Sequence, residues 1–417
     1  MSDTRAALQL PDFRRLLAAV ALSTLASRAL FVVIGYQVYQ LSAELSGNDT
    51  GDPLVLGWLG LAEAIPALSL ALFGGHFADR HDRRRIVLMT TTVATGCAAI
   101  LAAVALHSEF YGLPVLYAAA FVTGVTRGFA EPAAFALETQ IVPRSLFVAA
   151  ATVQASVWQG CAIAGPALGG AALLLGRAPA YALIAVLFAA SASAVWAMHA
   201  PPVPPAKETE SIWRSIGIGV RYVFGDQVLV GSMALDLFAV LFGGAIALLP
   251  VFAKDVLHVG PVELGMLNAA PSVGSLAVML WSTRYPPVRD AGFNLLLSVA
   301  AFGLSMIVFA FSKNIWLSLA ALALSGAFDG ISMVIRKAIL RVISPEQMRG
   351  RVSAVNSIFI GASNEVGAFE SGVAARLLGT VPSVWIGGVV TLIVVVAAGV
   401  LAPRLRTLNL RTAKPRE

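Results

Sequence analysis

Gly75-His76-Phe77-Ala78-Asp79-Arg80-His81-Asp82-Arg83-Arg84-Arg85 sets a glycine, an acid and a dense basic cluster between two long apolar runs, residues 54–76 and 86–106. A run of about 20 apolar residues matches the hydrocarbon thickness of a bilayer. The stretch therefore reads as a short turn at a membrane surface joining two spanning helices. Working outwards from it, further apolar segments fall at residues 16–41, 113–137, 148–175, 179–199, 228–253, 263–282, 291–311, 315–337, 351–375 and 381–402. The pattern predicts an all-α membrane protein with twelve transmembrane helices. Composition agrees: of 417 residues 58% are hydrophobic and 12% charged, with a mean hydropathy of +0.80, where a soluble domain carries about 25% charge. This argues against a water-soluble enzyme. Cys97 and Cys161 lie inside apolar runs without zinc or redox spacing, so no metal centre or disulfide is expected. The net charge of +6 resides in short loops between apolar runs, which points to a membrane and not to nucleic acid.

Orientation follows from the basic residues. With the N-terminus inside, 23 Lys and Arg fall in inside segments, among them Arg14, Arg15, Arg80, Arg144, Arg284, Arg289, Arg336, Lys337 and Arg341. Four fall outside: Arg177, Lys254, Lys313 and Arg376. The positive-inside rule then puts both termini in the cytoplasm. The first apolar run follows Phe13-Arg14-Arg15, is long enough to span and lacks a small-residue cleavage site, so it is expected to stay as the first helix. The most polar interior stretch opens with Pro201, Pro202, Pro204 and Pro205, dividing the chain into an N-terminal six-helix bundle (1–199), a cytoplasmic linker (200–227) and a C-terminal six-helix bundle with a basic tail (228–417). A shift of 202 positions superposes Gly124 on Gly326, Gly128 on Gly330, Pro143 on Pro345, Gly165 on Gly367 and Gly170 on Gly372 without a gap. The two bundles therefore read as pseudo-symmetric repeats, a pattern typical of secondary transporters.

The loop at residues 75–85 resembles the signature loop of the major facilitator superfamily, G-x-x-x-D-R-x-G-R-R, with Asp82 in place of the usual glycine. The resemblance implies a conformational latch in which Gly75 lets helices approach, Asp79 faces the start of helix eleven, and Arg83 meets an acid low on helix four, for which Glu138 is the candidate. Arg80 and Arg84 belong to the same loop, and Arg349 and Arg351 open helix eleven. A plain headgroup anchor accounts for the arginines equally well. The second-half loop, Thr283 to Asp290, keeps little of this pattern. On helix five, Gly165-Pro166-Ala167-Leu168-Gly169-Gly170 resembles the G-P-x-x-G-G packing element of exporter branches, with small residues for close contact and a proline for a bend. Arg349-Gly350-Arg351-Val352 and Ser363-Asn364-Glu365-Val366-Gly367 look like the eleventh-helix region of a subgroup of enterobactin exporters and macrolide efflux proteins.

Ionisable groups at mid-bilayer cost at least about 2.5–3.5 kcal/mol on insertion scales, so each needs a partner, a wet cavity or a task. The candidates for a substrate and proton cavity are Arg28, Glu63, Arg127, Glu131, Asp236, Asp329, Glu365 and Glu370. Arg28, Arg127, Glu131, Asp236 and Asp329 fall on helices one, four, seven and ten, which in the fold implied by the family surround the central cavity. Arg127 and Glu131 can also pair locally at i,i+4. Arg127 superposes on Asp329 in the repeat, which suggests complementary charges across the cavity. Phe31, Tyr36, Gln37, Phe238, Phe242 and Asn268 are further candidate linings, and helix packing explains each of them as well. A carboxylate whose surroundings alternate between wet and apolar can bind a proton on one side and release it on the other.

The resemblance, the repeat and these charges together predict a secondary active transporter, a proton-coupled exporter of organic amphiphilic compounds such as drugs or siderophores, working by alternating access. A lipid or lysolipid translocator on the same fold, or an importer of a small polar solute, stays open. No G-x-x-x-x-G-K-[ST] or H-E-x-x-H is present, and neither ATP-driven transport nor catalysis is expected. The proton gradient is the expected energy source without a cofactor. The expected partners are the lipid bilayer, a small-molecule substrate and protons, and the chain is expected to be a monomer in a bacterial inner membrane.

Overall fold

A backbone crossing hydrocarbon has no water to satisfy its N–H and C=O groups, so each apolar run must close its own hydrogen bonds as a helix. The computed structural model describes residues 2–47, 49–107, 112–199, 212–243, 245–285, 287, 289–345 and 348–410, and among them every regular element is helical. A short α1 (Ser2–Gln9) precedes α2 (Pro11–Ser46), α3 (Leu54–Arg80), α4 (Arg83–Ala105), α5 (Leu113–Ile141), α6 (Phe147–Ala172) and α7 (Arg177–Trp196). Then come α8 (Ile212–Phe224), α9 (Gln227–Gly243), a single turn α10 (Leu249–Val251) continuing as a π-turn over Phe252–Val256, and α11 (Pro261–Arg284). The chain closes with α12 (Ala291–Phe311), α13 (Ile315–Ile343), α14 (Arg349–Leu378), α15 (Thr380–Leu401) and the short α16 (Pro403–Arg406).

Among the described residues, eleven stretches are long and apolar enough to cross a bilayer. The 30-residue α14 is not among them, since Asn356, Asn364, Glu365 and Glu370 interrupt its apolar run, yet it has spanning length and is consistent with the expected total of twelve. Contacts divide the chain into two units, Met1–Lys207 with Val259–Ala269, and Glu208–His258 with Ala270–Glu417. In the first, α2 packs on α5, α6 and α7, while α5 also contacts α3 and α4. In the second, α12 lies between α13 and α15, and α9 packs on α14 and α15. The stretch read as a linker is not linker throughout: its second half forms α8, which sets Gly219 and Val223 against α14. Their i,i+4 spacing gives the helix one buried face.

The 202-residue offset recurs in the helix boundaries, for α13 begins and ends 202 residues after α5, and α14 begins 202 after α6. The same glycines make the same kind of crossing. A Cβ added at Gly124 would land on the Glu63 carbonyl and on Pro66 of α3, and one at Gly326 would land on the backbone of Pro271 in α11. Outward faces are apolar, as with Phe293, Leu297, Leu304, Val308 and Phe311 along α12, whereas the helix contacts bury small polar residues such as Ser191, Ser305 and Ser325. Their hydroxyls are bonded to backbone carbonyls: Ser191 Oγ donates to Ala19 O and Ser305 Oγ to Ala301 O, both at 2.8 Å. Lipid supplies no hydrophobic drive between helices, so close packing of small residues holds them together. Gly326→Val is accordingly expected to destabilise the second unit by at least about 1–3 kcal/mol through overpacking. Gly160→Ala, at a helix position with open space around it, should leave the melting temperature in detergent unchanged or raised.

Candidate functional site

At the turn between α3 and α4, Asp82 caps α4 by accepting from Arg85 N at 3.2 Å. Arg83 folds back under the cap. Its Nε donates to Ala78 O at 3.2 Å, its Nη1 to Ala136 O at 3.1 Å and Gln140 Oε1 at 3.5 Å, and its Nη2 lies 3.6 Å from Asp79 Oδ1. The expected Arg83–Glu138 pair is not formed. Ala136 and Gln140 share one face of α5, and Glu138, two residues from each, points about 200° away around the helix. Its buried carboxylate instead receives the side-chain amide of Gln154 on α6, with the amide assigned so that nitrogen faces the acid. A double-mutant cycle of Arg83→Gln with Glu138→Gln should thus show a coupling within about 0.5 kcal/mol of zero in thermal unfolding. Arg84 donates from Nε to Val195 O at 3.0 Å and from Nη2 to Trp196 O, tying α4 to the end of α7. Arg80 is exposed. The close approach expected at Gly75 belongs to its neighbour: a Cβ on Gly75 meets open space, whereas one on Gly74 would strike the Gly128 carbonyl and stand 3.1 Å from Phe129 Cα. Arg351 Nη1 lies 3.8 Å from Met348 Sδ. The side chains of Arg349 and Glu365 lie outside the described residues.

Deeper in the first unit, α3 and α5 bring Glu63 and Arg127 together, with Arg127 Nη1 2.8 Å from Glu63 Oε1. Arg127 Nε is 3.7 Å from Glu131 Oε1, one turn on along α5. The arginine thus sits between two carboxylates, and its shorter bond is the interhelical one. Beside it Arg28 on α2 places its guanidinium carbon 5.4 Å from the centre of the Trp158 ring of α6, within cation–π range.

The second unit holds a matching arrangement that sequence reading missed. Arg336 was counted with the cytoplasmic basic residues, and the structure places it inside the bundle. Its Nη1 pairs with Asp236 Oδ2 of α9, and its Nη2 lies 3.6 Å from Asp329 Oδ1, two turns back along α13. The available signal was the seven-residue spacing of Asp329 and Arg336, which puts both on one helix face. Arg336 and Asp236 leave only 7% and 8% of their side chains exposed and Asp329 40%, against 40% for Arg127 and 74% for Glu131. The Arg336–Asp236 contact is therefore sealed, whereas Asp329 and the Arg127 network stay partly exposed. A cavity of about 10 Å³ adjoins the sealed contact, lined by Asp236, Asp329 and Ser332 and closed by Phe302 and Phe328; a volume of that order admits one water. Arg336 also carries a buried Nε without an acceptor among the described residues.

Of the remaining candidates, Glu370 is half-buried on α14. Gln37 is core, accepting from Tyr181 OH at 3.0 Å. Phe238 and Phe242 stack with centroids 6.3 Å apart on α9. The Gly165–Gly170 element packs as small residues should. A Cβ at Gly165 would stand 2.5 Å from Arg28 Cβ, one at Gly169 2.6 Å from Ala29 O, and one at Gly170 3.0 Å from Gly265 Cα of α11, with Pro166 buried among them.

Two helical units related by an internal repeat are common in transporter folds, and a family model described as transmembrane secretion effector matches residues 4–417. The chain belongs to this family of major facilitator transporters. Relatives of this chain include the enterobactin exporter EntS of Citrobacter koseri, 24% identical over 91% of this chain and 88% of that one. The MFS-type transporter YjbB of Bacillus subtilis is 27% identical over 60% of this chain, a match that spans 62% of YjbB. Among solved structures, an inward-facing, unoccupied bacterial homologue of the human lysosomal transporter Spinster shares the fold at a TM-score of 0.70 and 13% identity, covering 96% of this chain and 97% of that one. The nucleoside transporter NupG gives 0.65 at 13% identity, with 92% and 99% covered. By family the chain is thus a multi-pass transport protein, and these solved structures share its fold.

Proposed function

We propose that this transporter exports an organic, amphiphilic compound from the bacterial cytoplasm across the inner membrane in exchange for protons, by alternating access within a monomer. The observation that carries this reading is the Asp236–Arg336–Asp329 network beside its water-sized cavity. One guanidinium cannot neutralise two carboxylates. The site has one carboxylate in excess, which can take up a proton without stripping Arg336 of a partner. Asp329, the more exposed acid, is the port, and Asp236, the buried one, keeps the arginine in place. When the proton leaves, Arg336 is again shared between two helices, α9 and α13, and a shift of its allegiance moves one against the other. The similarity to an enterobactin exporter over 91% of the chain supports export of an organic solute, as does the family description.

The test loads proteoliposomes with a pH-sensitive dye, imposes a proton gradient and adds siderophores, macrolides, cationic dyes and lysolipids in turn, beside Asp329→Asn and empty liposomes. Substrate-dependent proton flux that disappears in Asp329→Asn is the expected result and names the substrate class. Proton silence with labelled lysolipid still crossing would replace this reading by an uncoupled lipid translocator.

A further inference from the structure

A cleft of about 540 Å³ opens on the second unit between the end of α11, the start of α12 and the middle of α13. We propose that it binds the headgroup of an anionic phospholipid of the cytoplasmic leaflet, with the lipid's acyl chains running down the outer face of α12.

Charge comes first. Arg284 and Arg289 line the cleft, both exposed, in a loop assigned to the cytoplasmic side by its basic residues. Arg284 has no carboxylate within ion-pair distance among the described residues, and Arg289 has only Asp290, 3.9 Å away and itself mostly exposed. Two such guanidiniums meet a phosphate well, because each offers paired N–H donors at a spacing that suits its oxygens. Arg289 is anchored through its backbone, since Asn294 Nδ2 of α12 donates to Arg289 O at 2.8 Å.

The second observation separates a lipid from a soluble anion. Trp281 and Tyr285, one turn apart with centroids 6.0 Å from each other, stand exposed on the same rim, the aromatic pair expected where headgroup meets hydrocarbon. The cleft is also lined by the apolar Leu297, Phe328 and Ile331, with Ser298 among them. Leu297 is also part of the exposed stripe Phe293, Leu297, Leu304, Val308 and Phe311 that descends α12. A free phosphate has no use for that continuity, whereas a phospholipid uses both ends of it.

The test is native mass spectrometry of the full chain, stripped of lipid in detergent and titrated with phosphatidylglycerol or phosphatidylcholine, alone and with millimolar inorganic phosphate. Wild type is expected to retain phosphatidylglycerol over phosphatidylcholine. Arg284→Gln with Arg289→Gln should weaken it by about tenfold or more, as the loss of two basic contacts to an anionic headgroup predicts, while the paired lysine variant keeps most of the binding. Equal retention of both lipids, no change in the glutamine pair, or displacement of the lipid by inorganic phosphate would overturn the assignment, the last in favour of a soluble-anion site. A readout on the unaltered protein stands beside it: phenylglyoxal modification of Arg284 should be slower in phosphatidylglycerol vesicles than in phosphatidylcholine vesicles, and equal rates would count against the site.

Discussion

Replacing Arg336 by glutamine is expected to destabilise the second unit by about 3–5 kcal/mol, the cost of removing one partner from a buried ion pair. Asp236 is sealed from solvent and loses the guanidinium that compensates it, while Asp329 loses its closest cation. A deficit of that size is a large share of the stability of a folded domain, about 5–15 kcal/mol, so the variant should express poorly and melt well below wild type in detergent. Adding Asp236→Asn should recover much of the loss, because no uncompensated buried charge then remains. Adding Asp329→Asn should recover less, since that carboxylate is 40% exposed. Arg127→Gln is the comparison: its network is more exposed, and its removal should cost less than that of Arg336. Equal melting of Arg336→Gln and Arg127→Gln would mean that the Arg336–Asp236 contact is not sealed.

Asp329→Asn is expected to fold and to bind substrate but to lose the power to concentrate it. If one proton exchanges for one solute, a gradient of about one pH unit sustains about a tenfold concentration ratio, because one unit corresponds to about 1.4 kcal/mol. In the asparagine variant that ratio should fall to one, with exchange of labelled for unlabelled substrate continuing. Asp236→Asn should behave differently. It leaves Arg336 with Asp329 alone, a neutral pair without the excess carboxylate, so it too should uncouple, and it should also melt differently from wild type because a sealed contact has changed. Measuring accumulation and exchange in the same vesicles separates the two roles. Loss of exchange in a folded Asp329→Asn would place that residue in substrate binding and not in coupling.

The helical membrane architecture and the repeat were legible from the chain alone because each rests on local chemistry. An apolar run is as long as the hydrocarbon it must cross, and the offset linking Gly124 with Gly326 survives as a one-dimensional pattern that recurs in the helix boundaries. Most of the charged residues of both networks were likewise visible, since a carboxylate within an apolar run stands out. Arg336 was hidden for the opposite reason: it adjoins Lys337 and Arg341, and near a helix end an arginine that anchors to headgroups looks the same as one that turns inward.

Only the tertiary structure decided which charges meet. Arg127 bonds Glu63 on another helix more closely than Glu131 on its own, Arg83 takes backbone carbonyls and leaves Glu138 to Gln154, and the tight crossing falls at Gly74 and not Gly75. Each outcome depends on how far one helix is rotated about its axis and where it crosses its neighbour. One residue along a helix turns a side chain by about 100°, so identity and depth, which can be read from composition, do not specify a partner until the helices have packed.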